Sequence, residues 1–142
     1  MSYSLISLYF QSLAFRRGAN QLYSASHDRT VKLWNVDERS YIETLFGHQD
    51  QITDIDTLAR ERCVTTGGRD KTARMWKIVE ESQLVFRGGA TVKEKDGSGT
   101  VRYAEGCLDC IALVDEDMFV TGGDSGYESV IFASLGYGMT YF

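Results

Sequence analysis

One repeat constrains this chain more than any other feature. Tyr23 to Trp34 (YSASHDRTVKLW) and Thr65 to Trp76 (TTGGRDKTARMW) superimpose at a constant displacement of 42 residues. Asp28 falls on Asp70, Thr30 on Thr72 and Trp34 on Trp76, and a basic residue follows each aspartate. The displacement holds outside the motif, carrying Gln21-Leu22 onto Cys63-Val64 and Tyr41-Ile42-Glu43 onto Gln83-Leu84-Val85. A fixed period of this kind means a copied supersecondary unit whose copies bury their apolar faces on one another. Within each unit, β-branched and aromatic runs broken by polar turns read as strands. The first unit gives strands at 10–15, 20–26, 30–36 and 41–46; the second gives 51–58, 62–68, 72–78 and 83–87. The turns HDRT and RDKT suit tight hairpins.

Composition narrows the function classes. The 142 residues make one domain, and 43% hydrophobic with 25% charged residues is ordinary globular usage. Fourteen glycines and no proline agree with strands joined by tight turns. Three cysteines, an odd number, argue against a disulfide framework and for a reducing compartment. No apolar run approaches the roughly 20 residues that span a bilayer. Ser2 to Phe15 is fairly apolar, yet it lacks a basic leading segment and Gln11 interrupts it, so a cleaved signal is not expected. Net charge is −5, so a basic footprint over the whole domain is absent. The acidity belongs to residues 91–142, with 3 basic and 9 acidic residues; residues 1–90 carry 12 and 11.

The 42-residue period lies in the 40–45-residue range of WD-repeat propeller blades, and Gly47-His48 stands 28 residues before Trp76, where such a repeat carries its Gly-His pair. The sequence resembles WD repeats, which implies an all-β fold of propeller blades. The resemblance also implies a structural tetrad, a buried chain of His, Ser/Thr, Asp and Trp that ties the strands of a blade together. By spacing, the second unit's set is His48, Thr66, Asp70 and Trp76. The first unit supplies Ser24, Asp28 and Trp34 without a preceding Gly-His. A buried indole N–H needs an acceptor and a buried carboxylate needs donors, so such a set satisfies itself. His48 and Asp70 could be read as a catalytic pair, but no serine or cysteine at a nucleophile elbow accompanies them. No catalytic residue is expected.

The third unit is degenerate. Gly88-Gly89 stands where a Gly-His pair belongs, and a polar insertion, ATVKEKDGSGTVRYAEG, follows over 90–106. Strand-like sequence resumes at 108–114 and 118–123. Gly122-Gly123-Asp124-Ser125 matches Gly67-Gly68-Arg69-Asp70 at a displacement of 55, which puts Ser125 at the aspartate position and Ile131 at the tryptophan position. The tail from Tyr127 has lost the motif. The organisation read from sequence is blade unit 1 over 12–46, blade unit 2 over 47–89, the insertion, and a degenerate unit 3 over 107–135. Propellers use about 4–8 blades. The chain holds about two and a half to three, an incomplete propeller that cannot close a ring alone, and it is expected to be part of a longer protein.

Several runs go beyond generic blades. Leu13 to Gly18 (LAFRRG), Gln21 to Arg29 (QLYSASHDR), Glu43 to Asp50 (ETLFGHQD), Gly67 to Asp70 (GGRD) with Trp76-Lys77-Ile78, and Glu80 to Phe86 (EESQLVF) resemble the WD-repeat proteins of the U3 small nucleolar ribonucleoprotein. That resemblance implies a non-catalytic RNA-binding scaffold in the nucleolus of the nucleus, acting in pre-ribosomal RNA processing and small-subunit biogenesis. Its implied partners are the U3 small nucleolar RNA, snoRNP core proteins and small-subunit processome proteins. No cofactor, small-molecule substrate or membrane is implied. The candidate RNA contacts are Arg29, Arg69 and Lys71 in turns at one end of the blades, and Arg60 and Arg62 at the opposite end. Arginine forks suit phosphates and splayed bases. The alternative is a generic WD-repeat module that binds proteins.

Three further motifs carry no site in this reading. Cys107 and Cys110 form a CxxC with no second pair, and zinc normally needs four ligands. Cys63 alternates into the core. Gly122 to Gly126 lacks the lysine and spacing of a phosphate loop.

Overall fold

The computed structural model describes residues 9–87, 93–95, 101–103, 106–124, 128–132 and 140–141. The first eight residues, Gly88-Gly89, Ser125 and most of the tail lie outside them. The first sheet is β1 (Phe10–Phe15), β2 (Gln21–Ser26), β3 (Thr30–Asn35) and β4 (Ser40–Phe46), antiparallel in chain order. The second is β5 (Asp54–Asp56), β6 (Arg62–Gly67), β7 (Thr72–Lys77) and β8 (Ser82–Arg87), built the same way.

Two findings depart from the sequence reading. The polar insertion, to which the sequence reading assigned no strands, contains β9 (Lys93–Lys95) and β10 (Val101–Tyr103), paired as an antiparallel ribbon. The tail that lost the motif still completes a third four-stranded sheet, from β11 (Leu108–Asp115) and β12 (Met118–Gly123) to β13 (Glu128–Phe132) and β14 (Thr140–Tyr141). Pairing needs backbone and β-prone residues such as Val130 and Ile131, not the Trp and Asp signature. The sheet therefore runs past residue 135.

The sheets stack face to face. The first packs Ala14, Tyr23, Ala25, Val31 and Leu33 against Ile52, Ile55, Cys63 and Trp76. The other face of the second sheet places Val64, Ala73 and Met75 against Leu108, Ile111 and Phe119 of the third. Strand β6 shows why the middle sheet reads as a continuous buried run. Cys63 and Val64 point to opposite faces, and each face meets a neighbour. Phe86 meets Phe119 edge to face at 5.4 Å, seating the third sheet on the second. Among the described residues no helix is long and apolar enough to cross a membrane.

The antiparallel meander fixes two ends. Turns β2–β3 and β6–β7, with the crossings between sheets, lie at one end. Turns β1–β2, β3–β4, β5–β6, β7–β8 and β11–β12 lie at the other.

Candidate functional site

The second sheet carries a continuous buried hydrogen-bond chain. The Trp76 indole N–H donates to Thr65 Oγ1 at 2.8 Å, Thr65 Oγ1 and His48 Nε2 are 2.7 Å apart, and His48 Nδ1 lies 2.8 Å from Asp70 Oδ2. An indole only donates and a carboxylate only accepts. With a neutral imidazole the chain runs in one direction: Thr65 donates to Nε2, and Nδ1–H donates to Asp70. Asp70 also receives Gln49 N at 3.0 Å, Thr72 N at 2.8 Å and Thr72 Oγ1 at 2.7 Å. Burial pushes the Asp70 carboxyl up, but these donors outweigh it and hold it at about 2.

The threonine of this chain is Thr65, not Thr66. The ungapped displacement of 42 selects Thr66 because it matches Ser24. The turn between β2 and β3 has three residues, whereas the turn between β6 and β7 has four, Gly68 to Lys71, including one turn of 3-10 helix. The extra residue slips β6 by one against the tryptophan frame. A one-residue slip moves every side chain to the other face. The register confirms it: Leu22 pairs with Trp34 and Ser24 with Lys32, while Cys63 pairs with Trp76 and Thr65 with Arg74. By the same register Gln21-Leu22 corresponds to Arg62-Cys63. Thr66 faces the third sheet, where its hydroxyl meets Thr53 Oγ1 at 2.9 Å, and Thr53 donates to Leu108 O at 2.8 Å.

In the first sheet the network is split among the described residues. Trp34 Nε1 donates to Ser24 Oγ at 2.9 Å. Asp28 separately receives Thr30 N at 3.0 Å and Thr30 Oγ1 at 2.6 Å, with Lys32 Nζ at 3.8 Å. Here burial raises the Asp28 carboxyl, and the Thr30, Ser26 and Lys32 interactions carry it below its ordinary value.

The third sheet keeps only a remnant. Thr121 pairs with Ile111 as Thr65 pairs with Ile55, and Ile131 stands at the register of Trp76. Isoleucine has no N–H to give, and the buried Thr121 hydroxyl has no hydrogen-bond partner. Thr121→Val is expected to raise stability by about 1 kcal/mol, and Thr65→Val to lower it by about 1–3 kcal/mol, because only Thr65 spends its hydroxyl on partners. Urea unfolding of the two variants checks the opposite signs.

The charged turns divide by end. Arg29 and Arg69 are exposed and Lys71 half-buried, all in the β2–β3 and β6–β7 turns. Arg29 and Lys71 hold left-handed backbone at φ 74° and 56°, directly after each aspartate. Arg69 N donates to Asp50 Oδ2 at 3.1 Å, which fixes the turn while its side chain stays exposed. Arg60 and Arg62 lie at the other end among carboxylates. Arg62 Nη1 donates to Asp117 Oδ1 at 2.8 Å and Nη2 lies 3.9 Å from Glu80, while Arg60 stands 3.8 Å from Asp117. Glu116 accepts Ala59 N and Arg60 N at 2.9 and 3.1 Å. Arg60 and Arg62 thus clasp the second sheet to the third, and they are not brought together with the turn cations.

The sequence reading missed Asp54 and Asp56. Asp54 accepts Ser12 Oγ at 2.8 Å from the first sheet and Ile111 N at 3.0 Å from the third, and Asp56 accepts Leu113 N at 2.7 Å. The signal was the D-I-D alternation, which sets two carboxylates on one face of a short, half-buried strand. Cys63 is fully buried, Cys107 half-buried and Cys110 exposed, all free. Among the described residues no three His, Cys, Asp or Glu gather to hold a metal.

The first two sheets are WD-repeat blades: residues 9–35 and 39–77, which lie within them, match the family model described as WD domain, G-beta repeat. The blades form part of a propeller, and among the described residues they close no ring. The chain is, further, homologous over most of its length to U3-associated WD-repeat proteins. It is 40% identical over 136 residues to ribosomal RNA-processing protein 9 of Saccharomyces cerevisiae, covering 81% of this chain and 24% of that one. It is 60% identical over 114 residues to an uncharacterized WD repeat-containing protein of Schizosaccharomyces pombe, covering 80% of this chain and 21% of that one. The solved structure of U3-55K superimposes with a TM-score of 0.76 at 52% identity, covering 88% of this chain and 34% of that one. The chain thus spans between a fifth and a quarter of the length of these curated relatives.

Proposed function

We propose that this chain serves as part of a non-catalytic, RNA-binding scaffold of the U3 small nucleolar ribonucleoprotein, acting in the nucleolus in pre-ribosomal RNA processing and small-subunit assembly. The observation that carries the proposal is the 52% identity to the blades of U3-55K across most of the chain. The charged side chains agree with a scaffold. Asp70, His48, Asp54, Asp56 and Arg62 are committed to partners within and between blades, so these polar groups hold the blades rather than act on a substrate. The RNA end is the one bearing Arg29, Arg69 and Lys71. Structured RNA is read largely through its backbone and shape, so a few cations on rigid turns suffice despite the net charge of −5.

The test is affinity for U3 small nucleolar RNA at two salt concentrations, wild type against Arg29→Glu/Arg69→Glu. The substitutions sit in exposed turns and leave the tetrad intact, which circular dichroism verifies. Affinity is expected to fall at least about tenfold, with a shallower salt slope, because lost phosphate contacts release fewer counterions. Equal affinities and slopes would remove these residues from the site. A chain that binds no RNA and captures only proteins would favour the generic WD-repeat module.

A further inference from the structure

The outer wall between the first two blades has a construction that the RNA reading leaves unused. Strand β4 is the last strand of its sheet, and among the described residues no strand lies beside its other edge. It is long for an edge, seven residues (SYIETLF), with no proline and one charge, Glu43. Edge strands that avoid pairing are usually short, charged or broken by proline. Here instead Tyr41, Ile42 and Phe46 are exposed by 47%, 43% and 70%. Beside this edge runs a groove of about 340 Å³, the outer mouth of the interface between the blades. Its apolar floor comes from Leu45, Trp76 and Ile78, with Glu43, Glu81 and Gln83 on its rim. The rim ammonium, Lys77, is taken by Glu80 at 3.2 Å. The groove therefore offers a strand edge, an apolar floor and two carboxylates of one sign.

We propose that this groove docks an extended, basic segment of another polypeptide, which adds to β4 as a fifth strand. Main-chain hydrogen bonds to the free edge supply attachment, and alternate side chains enter the groove. Glu43 and Leu45 share the face turned to the second blade, since Leu33 pairs with Glu43 and Val31 with Leu45. An incoming strand therefore meets carboxylate and apolar contacts two residues apart, and basic and aliphatic side chains alternating on one face complement them. An acidic or helical segment fits neither the charge nor the edge.

The probe is a fluorescein-labelled heptapeptide, TKVVTKT, which sets lysine, valine and lysine on one face of a strand. Fluorescence anisotropy with the full chain is expected to show saturable binding. Glu43→Lys/Glu81→Lys should weaken it at least about tenfold, and the charge-swapped peptide TEVVTET should prefer that variant. N-methylation of backbone amides on one edge of the peptide should abolish binding to the wild type when that edge faces β4. Glu81 is exposed and Glu43 half-buried at the rim, and circular dichroism verifies that the variant folds. The inference is overturned if TKVVTKT shows no saturable binding. It is equally overturned if charge reversal leaves affinity unchanged, or if peptides N-methylated on either edge bind as well as the parent.

Discussion

Gly67→Ala is expected to be among the most damaging single changes in the chain, at about 3–5 kcal/mol, the range for breaking a buried charge network. A Cβ at Gly67 would stand 2.5 Å from both Asp70 carboxylate oxygens and press into the His48 ring. Neither group can retreat without breaking the His48–Asp70 bond. The first blade shows the same rule from the other side, because the register equivalent of Gly67 is Ser26, and there, among the described residues, Asp28 is bonded by Thr30 and Lys32 and not by an imidazole. Gly68→Ala is the control. Its Cβ would press only on Thr53 Cγ2 at 3.1 Å, a methyl group able to shift slightly, with Gln51 O and Asp50 Oδ2 at ordinary contact distances of 3.6 and 3.9 Å, and a much smaller loss is expected. Urea unfolding of the two variants measures the gap. Combining Gly67→Ala with His48→Ala should cost less than the sum of the separate losses, because both changes strike one contact. Equal losses for Gly67→Ala and Gly68→Ala would refute the role given to Gly67.

The second large effect belongs to Asp70. Asp70→Ala strands the His48 Nδ1–H, Gln49 N–H, Thr72 N–H and Thr72 hydroxyl donors. The expected loss is about 3–5 kcal/mol, since a buried network loses its only anion. The pH dependence has a definite sign. Asp70 is held at about 2, below its ordinary 3.8, so its contribution is complete above that ordinary value and fades as pH falls toward about 2. The stability difference between wild type and Asp70→Asn should be constant above about pH 5 and shrink by about pH 2.5. A difference independent of pH across that window would contradict an ionised Asp70 at the end of the chain.

The legible part of this fold was whatever the repeat copied. Trp34 and Trp76, Asp28 and Asp70, and the strands between them follow from one displacement, because strand spacing and hydrophobic alternation are set by the same period. What escaped was local. Thr66 was selected over Thr65 because an ungapped displacement cannot register one added turn residue, and in a strand that single residue exchanges the two faces. The third blade's outer strands were hidden because Glu128–Phe132 lacks the signature, although backbone pairing does not require it. Asp54 and Asp56 were hidden for another reason. Their partners are backbone amides and a serine of neighbouring blades, and no spacing within one unit reveals contacts made between units.

The proposed place of the chain among U3-associated proteins rests on homology, and the proposed RNA end rests on topology that sets Arg29, Arg69 and Lys71 at one end, away from the clasped Arg60 and Arg62. Ultraviolet cross-linking of the tagged chain in cells, followed by sequencing of the bound RNA and mapping of the cross-linked peptides, tests both at once. The account predicts enrichment of U3 small nucleolar RNA with cross-links in the turns at 27–29 and 68–71. Absence of U3 enrichment, or cross-links confined to the end bearing Arg60 and Arg62, would contradict it.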